Sequence, residues 1–128
     1  MNANSGPGYR LYPQHRITAQ PAGVRVRVRF GDALIADSRD AIKLEEPKVG
    51  HVVAPVVYYF PRRDVHLERL RRTEHHTDCP FKGRASYYSI VDGPENAVWT
   101  YEAPYDEMLA IKEHLAFYPD KVDIEVVD

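Results

Sequence analysis

Reactive side chains are concentrated in one stretch of the sequence, between His75 and Ser89. This stretch contains the single cysteine, Cys79, with two histidines before it and a lysine after it. Cationic neighbours favour the thiolate form of a cysteine, so Cys79 is a candidate nucleophile or redox thiol. The alternative is that Cys79 is a small buried apolar residue, as most unpaired cysteines are.

A second candidate catalytic group is His76, because an imidazole changes its charge near neutral pH and can act as a general base. Adjacent residues of an extended segment point to opposite faces, so only one of His75 and His76 is expected to enter a pocket. In the alternative interpretation both are ordinary surface histidines. A site built from a histidine, Asp78 and Cys79 lacks any standard metal-ligand spacing. We therefore predict no metal and no other cofactor.

The pair Lys82 and Gly83 is a candidate contact for an anionic ligand. A glycine lets a ligand approach the backbone closely, and a lysine supplies positive charge. The segment is not a P-loop, because the first glycine and the Ser or Thr after the lysine are missing. A solvated turn lysine is the alternative interpretation.

Aromatic residues are concentrated on the predicted strands, often as adjacent pairs. Tyr and Trp combine a large apolar surface with a polar tip, which suits a pocket that stacks a planar ligand. The alternative is a β core with tyrosine hydroxyls at its rim. A turn at residues 92–96 is expected to bring Trp99 beside Tyr87, with the register centred near Gly93. The predicted pocket has Lys82, Cys79 and one histidine at its mouth and is lined by Tyr59, Tyr87, Trp99 and Tyr118.

The elements that position these residues are predicted to be mostly strands. Perfect alternation from Val24 to Phe30 indicates a half-buried strand, whose outward arginines we expect to be solvated or salt-bridged. Pro55 and Pro61 cannot donate to a ladder, so the strand at 52–61 should be short or at an edge. One short helix is predicted over 105–113, where a proline precedes two acidic residues. A short strand is expected within 62–72, and a loop from there to about residue 83. The other predicted strands are 33–37 and 41–45, which continue the first as a meander, and 85–91, 97–101, 116–118 and 122–126.

Length and composition fit a single domain of 128 residues. We expect an irregular N-terminal arm over 1–21 and one domain over 22–128. A lone cysteine cannot form an internal disulfide, which favours the reducing cytoplasm. The first residues lack the apolar core of a signal peptide, and no window is long enough for a membrane span. The net charge of −2 argues against a nucleic-acid partner.

Four motifs follow one another along the chain, at Val57–Pro61, Cys79–Gly83, Ala97–Tyr101 and Leu115–Val122. In this order they resemble the bacterial family called domain of unknown function 427, which is sometimes labelled nucleotidyltransferase-like. The resemblance covers about residues 23–127. It implies a β-tent architecture of coiled antiparallel sheets, similar to methionine sulfoxide reductase B and to the thalidomide-binding domain of cereblon. Those relatives hold zinc through paired Cys-x-x-Cys motifs, and because Cys79 stands alone the zinc is not carried over.

The sequence therefore predicts an all-β domain with one short helix that binds a small planar or anionic ligand in an aromatic-lined pocket. The expected partner is a small molecule, with no nucleic acid and no membrane. The alternative is an enzyme that acts on nucleotides or small metabolites through Cys79 or His76. Binding needs only shape and aromatic surface, whereas catalysis needs a positioned acid–base or nucleophile pair.

Overall fold

The structure, a computed structural model, describes residues 4–47, 51 and 53–127 of the chain. This part is mainly β, which confirms the predicted fold class. The strands are β1 Thr18–Pro21, β2 Arg25–Phe30, β3 Ala33–Ser38, β4 Ile42–Glu45, β5 Val57–Tyr59, β6 Leu70–Cys79, β7 Gly83–Ile90, β8 Val98–Thr100, β9 Leu115–Phe117 and β10 Asp123–Val127. Within the described residues they form three antiparallel sheets, with the orders β1-β4-β5, β10-β2-β3 and β6-β7-β8-β9.

The hairpin β2–β3 follows the predicted alternation. Val26 and Val28 are fully buried, while the arginines that alternate with them point to the other face. On that face Arg25 donates two hydrogen bonds to Asp37, at 2.8 and 2.6 Å, and Arg27 lies 3.5 Å from the same carboxylate. The expectation of a salt-bridged ladder is therefore confirmed for Arg25 and Arg27.

The predicted meander ends after β3, because β4 belongs to a different sheet. The turn between them is held by the buried hydroxyl of Ser38, which accepts from the backbone N–H of Asp40 at 2.9 Å and donates to Asp64 at 2.6 Å. These bonds redirect the chain, and β4 then pairs with β1 on one side and β5 on the other.

The N-terminal arm is more ordered than predicted. Its described part forms a short helix α1, Pro7–Leu11, and the strand β1, whereas residues 1–3 lie outside the described residues. α1 carries its proline in the first turn, where a missing N–H costs little. β1 is stabilised by pairing with β4, more than twenty residues further along, so local sequence patterns do not reveal it.

The segment from 52 to 69 is less extended than predicted. β5 has three residues and lies at a sheet edge, as the prolines predict, and residue 52 lies outside the described residues. The predicted strand within 62–72 begins only at Leu70. Two single-turn 3₁₀ helices, Arg62–Asp64 and Leu67–Arg69, precede it because i to i+3 backbone bonds close both turns.

The strand β6 replaces most of the loop predicted before Gly83. It pairs with β7 as far as Cys79, and only Pro80–Lys82 form the turn. The pairing is interrupted once: Arg72 lies opposite Tyr88, but His76 lies opposite Ser86. Three residues of β6 therefore face one residue of β7, which makes a bulge larger than the usual two-to-one kind. The helix predicted over 105–113 is present as a 3₁₀ helix at Asp106–Ile111.

The four-stranded sheet β6-β7-β8-β9 has a buried apolar cluster on each face. Val98 belongs to the same cluster as Val28 of β2, and Tyr87 belongs to the same cluster as Tyr59 of β5. The edge of this sheet is joined to β5 by the pair Phe60 and Leu115, whose backbones exchange hydrogen bonds of 2.8 and 2.9 Å. No helix among the described residues is long and apolar enough to cross a membrane.

Candidate functional site

The hairpin β7–β8 brings the predicted aromatic residues together. Tyr87 lies directly opposite Trp99, which confirms the register predicted to be centred near Gly93. Trp99 in turn lies opposite Ala116 of β9, so Tyr118, two residues further on, comes to the same face. The ring centroids of Trp99 and Tyr118 are 4.5 Å apart, and the nearly parallel rings of Tyr87 and Tyr118 are 6.4 Å apart.

Tyr59 joins this group from the neighbouring sheet. The indole Nε1 of Trp99 donates a hydrogen bond of 3.2 Å to the Tyr59 hydroxyl, and the two rings are perpendicular. Burial raises the pKa of Tyr59 above that of an ordinary tyrosine, although the bond from Trp99 opposes this shift. The phenol is therefore neutral, and it supports Trp99 from behind rather than facing solvent.

The bulge in β6 adds an imidazole to the same face. The centroid of His75 lies 4.5 Å from that of the Tyr87 ring, and the Tyr87 hydroxyl lies 2.9 Å from Oγ1 of Thr77 and 3.2 Å from the Tyr118 hydroxyl. His75, and not His76, is thus the histidine that enters the aromatic group. We call this group of side chains in mutual contact the aromatic row; it consists of Tyr59, Trp99, Tyr118, Tyr87 and His75.

Two cavities adjoin the aromatic row and share Tyr118 as a wall. The polar cavity has a volume of about 490 Å³ and is lined by His75, Tyr87, Glu95, Asn96, Tyr118, Asp120 and Lys121. The apolar cavity has a volume of about 330 Å³ and is lined by Pro55, Val56, Val57, Tyr58, Trp99, Phe117, Tyr118, Pro119, Ile124 and Val126.

A lysine ammonium and a tyrosine ring lie next to each other in the polar cavity. The Lys121 ammonium lies 5.5 Å from the centroid of the Tyr118 ring and donates to the carbonyl oxygen of Glu95 at 3.1 Å. Burial raises the pKa of Tyr118 to about 12, with further contributions from the hydrogen bond with Tyr87 and from the charge of Asp120. The hydroxyl of Tyr118 is thus a neutral hydrogen-bonding group at physiological pH.

Lys82 and Gly83 lie away from both cavities. Lys82 is only 14% exposed and forms an ion pair with Glu46, whose carboxylate also lies 3.2 Å from Nε2 of His15. Burial by itself would raise the pKa of Glu46, but Lys82 and His15 lower it overall. The ammonium group that was predicted to meet an anionic ligand therefore already has a carboxylate partner.

The glycine beside Lys82 has a structural explanation. Gly83 has a φ of +119°, and a Cβ there would lie 3.4 Å from the carbonyl oxygen of Ala103 and from Cα of Pro104. Gly83 pairs with Cys79 at the closed end of the hairpin, whereas Tyr87 lies four residues further along β7, about 13 Å away. The turn and the aromatic row are therefore separate places on one sheet.

The two candidate catalytic residues are not brought together. His76 lies opposite Ser86, with its Nδ1 3.4 Å from the Ser86 hydroxyl and 3.2 Å from the carbonyl oxygen of Ala85. Cys79 is three residues further along the regular part of β6, so its side chain points to the opposite face, the face of Thr77 and Tyr87. Among residues 4–47, 51 and 53–127, no three His, Cys, Asp or Glu side chains are grouped closely enough to hold a metal ion.

Sequence reasoning missed four polar residues that line the polar cavity. They lie in two turns, the predicted turn at 92–96 and the turn that begins at Pro119. Both turns flank strands of the aromatic row, and polar contacts to ligands commonly come from such loops. The missed residues are Glu95, Asn96, Asp120 and Lys121.

Residues 18–128 match the family described as Domain of unknown function (DUF427). No curated protein matches the chain. The match contains every residue of the aromatic row and begins after α1.

Proposed function

The chain belongs to the family described as Domain of unknown function (DUF427), and from this premise we propose that it binds a small planar molecule against the aromatic row. One observation carries the proposal: two adjoining cavities share the ring of Tyr118, and aromatic rings in mutual contact line both of them. Membership of this family agrees with the four sequence motifs, but the family description names no ligand.

The dimensions of the cavities support this proposal. Both fall in the range of about 300–1,000 Å³ that is typical of small-molecule sites. A heteroaromatic ring can stack on tyrosine or tryptophan, while its polar edge meets Asn96, His75 or a tyrosine hydroxyl. A planar molecule therefore finds both an apolar surface and hydrogen-bonding groups in one place.

Contacts within the protein hold the rings of the aromatic row in position. Trp99 is hydrogen-bonded to Tyr59, and the Tyr87 hydroxyl contacts both Thr77 and Tyr118. Groups that are fixed before binding lose little conformational freedom when the ligand arrives, which favours affinity. The same network would orient a ligand by its ring plane.

Catalysis by the predicted pair has less support. Cys79 and His76 lie on opposite faces of β6, so neither can activate the other directly. Lys82 is ion-paired with Glu46, so it is not assigned to an anionic ligand. A binding module is the function that the geometry favours.

The proposal can be tested with a panel of planar heterocycles: adenine, indole, quinoline and riboflavin. Binding is measured by ligand-observed NMR and by thermal shift on wild type, Tyr118→Ala and Tyr118→Leu. Tyr12→Ala is the matched control, because Tyr12 is an exposed tyrosine that lines neither cavity. We expect at least one heterocycle to bind wild type and the control, and both Tyr118 variants to bind it at least about fivefold more weakly, since removal of a stacking ring costs roughly 1 kcal/mol or more.

Two results would contradict the proposal. One is the absence of binding by every member of the panel. The other is equal affinity for wild type and Tyr118→Leu, a variant that keeps apolar volume at the shared wall. Circular dichroism of each variant shows whether it is folded before its affinity is compared.

A further inference from the structure

The charges around the polar cavity deepen the proposed function, on which this step rests. We propose that the ligand carries a positive charge next to its planar ring, as an aryl-alkyl ammonium does. The planar ring would occupy the apolar cavity, and the ammonium group would occupy the polar cavity.

The polar cavity has more acidic than basic side chains. By the same formal count that gives the chain a net charge of −2, Asp120 and Glu95 contribute two negative charges and Lys121 contributes one positive charge. Within the described part of the chain, neither carboxylate has a basic side chain within ion-pair distance. An incoming ammonium group would therefore be attracted, and an incoming carboxylate or phosphate would be repelled.

The rings that line this cavity favour the same sign of charge. The face of an aromatic ring is negative, and it attracts a cation within about 6 Å of its centroid. The ammonium of Lys121 lies at such a distance, 5.5 Å, from the centroid of Tyr118. A cation is thus already held at this aromatic surface, and Lys121 acts as an internal competitor of a ligand ammonium.

The hydrogen-bond donors of the Lys121 ammonium group make a poor binding site for an anion. Its ammonium donates to the carbonyl oxygen of Glu95 at 3.1 Å, so one of its bonds is engaged. An anion beside it would also have to accept the proximity of Asp120, whose negative charge already acts on the phenol of Tyr118. The balance of the cavity therefore opposes an anionic ligand.

The apolar cavity supplies the place for the planar ring. It is lined by Trp99 and Phe117 from the central sheet and by Ile124 and Val126 from β10, with no charged side chain among its lining residues in the described chain. Because Tyr118 walls both cavities, the proposed ligand would place its ring on one side of Tyr118 and its ammonium group on the other. Burial of the ring in the apolar cavity adds affinity that does not depend on charge.

The test compares three probes with one ring and different charge: tryptamine, indole-3-propionamide and indole-3-propionate. Dissociation constants are measured by titration calorimetry at pH 7.5 and low salt, where the ammonium of tryptamine is protonated. We expect tryptamine to bind about threefold to tenfold more tightly than the neutral amide, and the propionate to bind most weakly.

Two charge variants give effects of opposite sign. Asp120→Asn should weaken tryptamine binding by about threefold to tenfold, and Lys121→Gln should tighten it by a similar factor. Both variants should change binding of the neutral amide less than they change binding of tryptamine. Asp32→Asn and Lys112→Gln are matched controls, since they change the net charge equally at exposed positions that line neither cavity.

The outcomes separate this inference from the proposed function. If the amide binds as tightly as tryptamine, or the propionate binds more tightly, the positive charge is overturned while a planar ligand stands. If Lys121→Gln weakens tryptamine binding, Lys121 does not compete with the ligand ammonium, and the inference of a positively charged ligand is overturned as well. If none of the three indoles binds but another heterocycle of the panel does, the inference fails alone. If no heterocycle binds at all, both fail.

Discussion

The indole of Trp99 and the hydroxyl of Tyr59 are joined by a hydrogen bond of 3.2 Å that links two sheets. Trp99 lies in the central sheet and lines the apolar cavity, whereas Tyr59 lies in the neighbouring sheet and is only 1% exposed. The bond therefore connects a wall of the candidate site to the buried core. A substitution of Trp99 should therefore affect both the candidate site and the core.

The first prediction concerns this bond. Trp99→Phe should lower the free energy of unfolding by about 1–3 kcal/mol, because it leaves the buried Tyr59 hydroxyl without its donor. Adding Tyr59→Phe removes that hydroxyl, so the double variant should be less destabilised than the sum of the single variants by about 0.5 kcal/mol or more. Urea unfolding measures all four proteins. Strictly additive effects would show that the bond contributes nothing.

The second prediction concerns the ion pair of Lys82 and Glu46. Lys82→Met should lower the free energy of unfolding by about 1–3 kcal/mol, since it removes the lysine donor from a partly buried carboxylate and leaves only His15 beside it. The matched control is Lys43→Met, whose pair with Glu45 at 3.7 Å is more exposed and should contribute less than about 1 kcal/mol. Equal losses of unfolding free energy in the two variants would contradict the larger contribution expected of the Lys82–Glu46 pair.

The third prediction is a pH dependence of stability that comes from Glu46. Burial would raise its pKa, but Lys82 and His15 lower it below the ordinary value of 4.5. Near pH 4 the unfolded chain therefore binds more protons at this carboxyl than the folded chain does. The stability contributed by Glu46 is present above about pH 4.5 and is lost as the pH falls through the folded pKa. Urea unfolding between pH 6 and 3 should show a smaller loss in Glu46→Gln than in wild type, and identical slopes would refute this assignment.

The fourth prediction concerns the packing of α1 on the β6–β7 turn. A Cβ on Gly6 would lie 2.8 Å from the carbonyl oxygen of Pro80 and 2.9 Å from the ring of Tyr105, which is closer than real contacts allow. Gly6→Ala should therefore displace the arm and accelerate tryptic cleavage after Arg10 several-fold. Gln14→Ala, at an exposed position that leaves the residues on both sides of the cleaved bond unchanged, is the control and should be cleaved at the wild-type rate. A cleavage rate unchanged by Gly6→Ala would mean that the arm adapts without leaving the turn.

The fifth prediction addresses Cys79 and His76 directly. Because they point to opposite faces of β6, His76→Gln should change the rate of Cys79 alkylation by iodoacetamide by less than about twofold. Mass spectrometry follows the reaction, and the chain unfolded in urea gives the rate of a fully accessible thiol. A tenfold decrease in His76→Gln would show that the imidazole does activate the thiol, and would restore the enzyme hypothesis.

Strands with a clear period of two were predictable, and so were the pairs that they form locally. The alternation before Phe30 and the turn near Gly93 were sufficient, because a short hairpin turn sets the pairing of the two strands that flank it. β1 was not predictable, since its stability comes from a partner strand that is distant in the sequence. β4 leaves the meander after a turn that depends on Asp64. This residue is also distant in the sequence, and it accepts a hydrogen bond from the Ser38 hydroxyl.

The parts of the candidate site that a local hairpin determines were also predictable from the sequence. Tyr87 and Trp99 face each other because a hairpin makes them do so, and the structure brings Tyr118 to the same face. The ion pair of Lys82 was not predictable, because its partner, Glu46, directly follows β4 and is distant in the sequence. Which histidine meets the rings was also open, since the bulge that places His75 over Tyr87 leaves no mark in the sequence.

The bulge has a consequence for the solubility of the protein. β6 has ten residues and lies at the end of its sheet, so its outer backbone groups have no partner strand in the described chain. A long free edge invites a second copy to add a strand, which is a common start of aggregation. Here the three bulged residues interrupt any continuous register, and charged side chains on both sides of them would have to be desolvated. We therefore expect the distortion that delivers an imidazole to the aromatic row to hinder edge-to-edge association of the sheet as well.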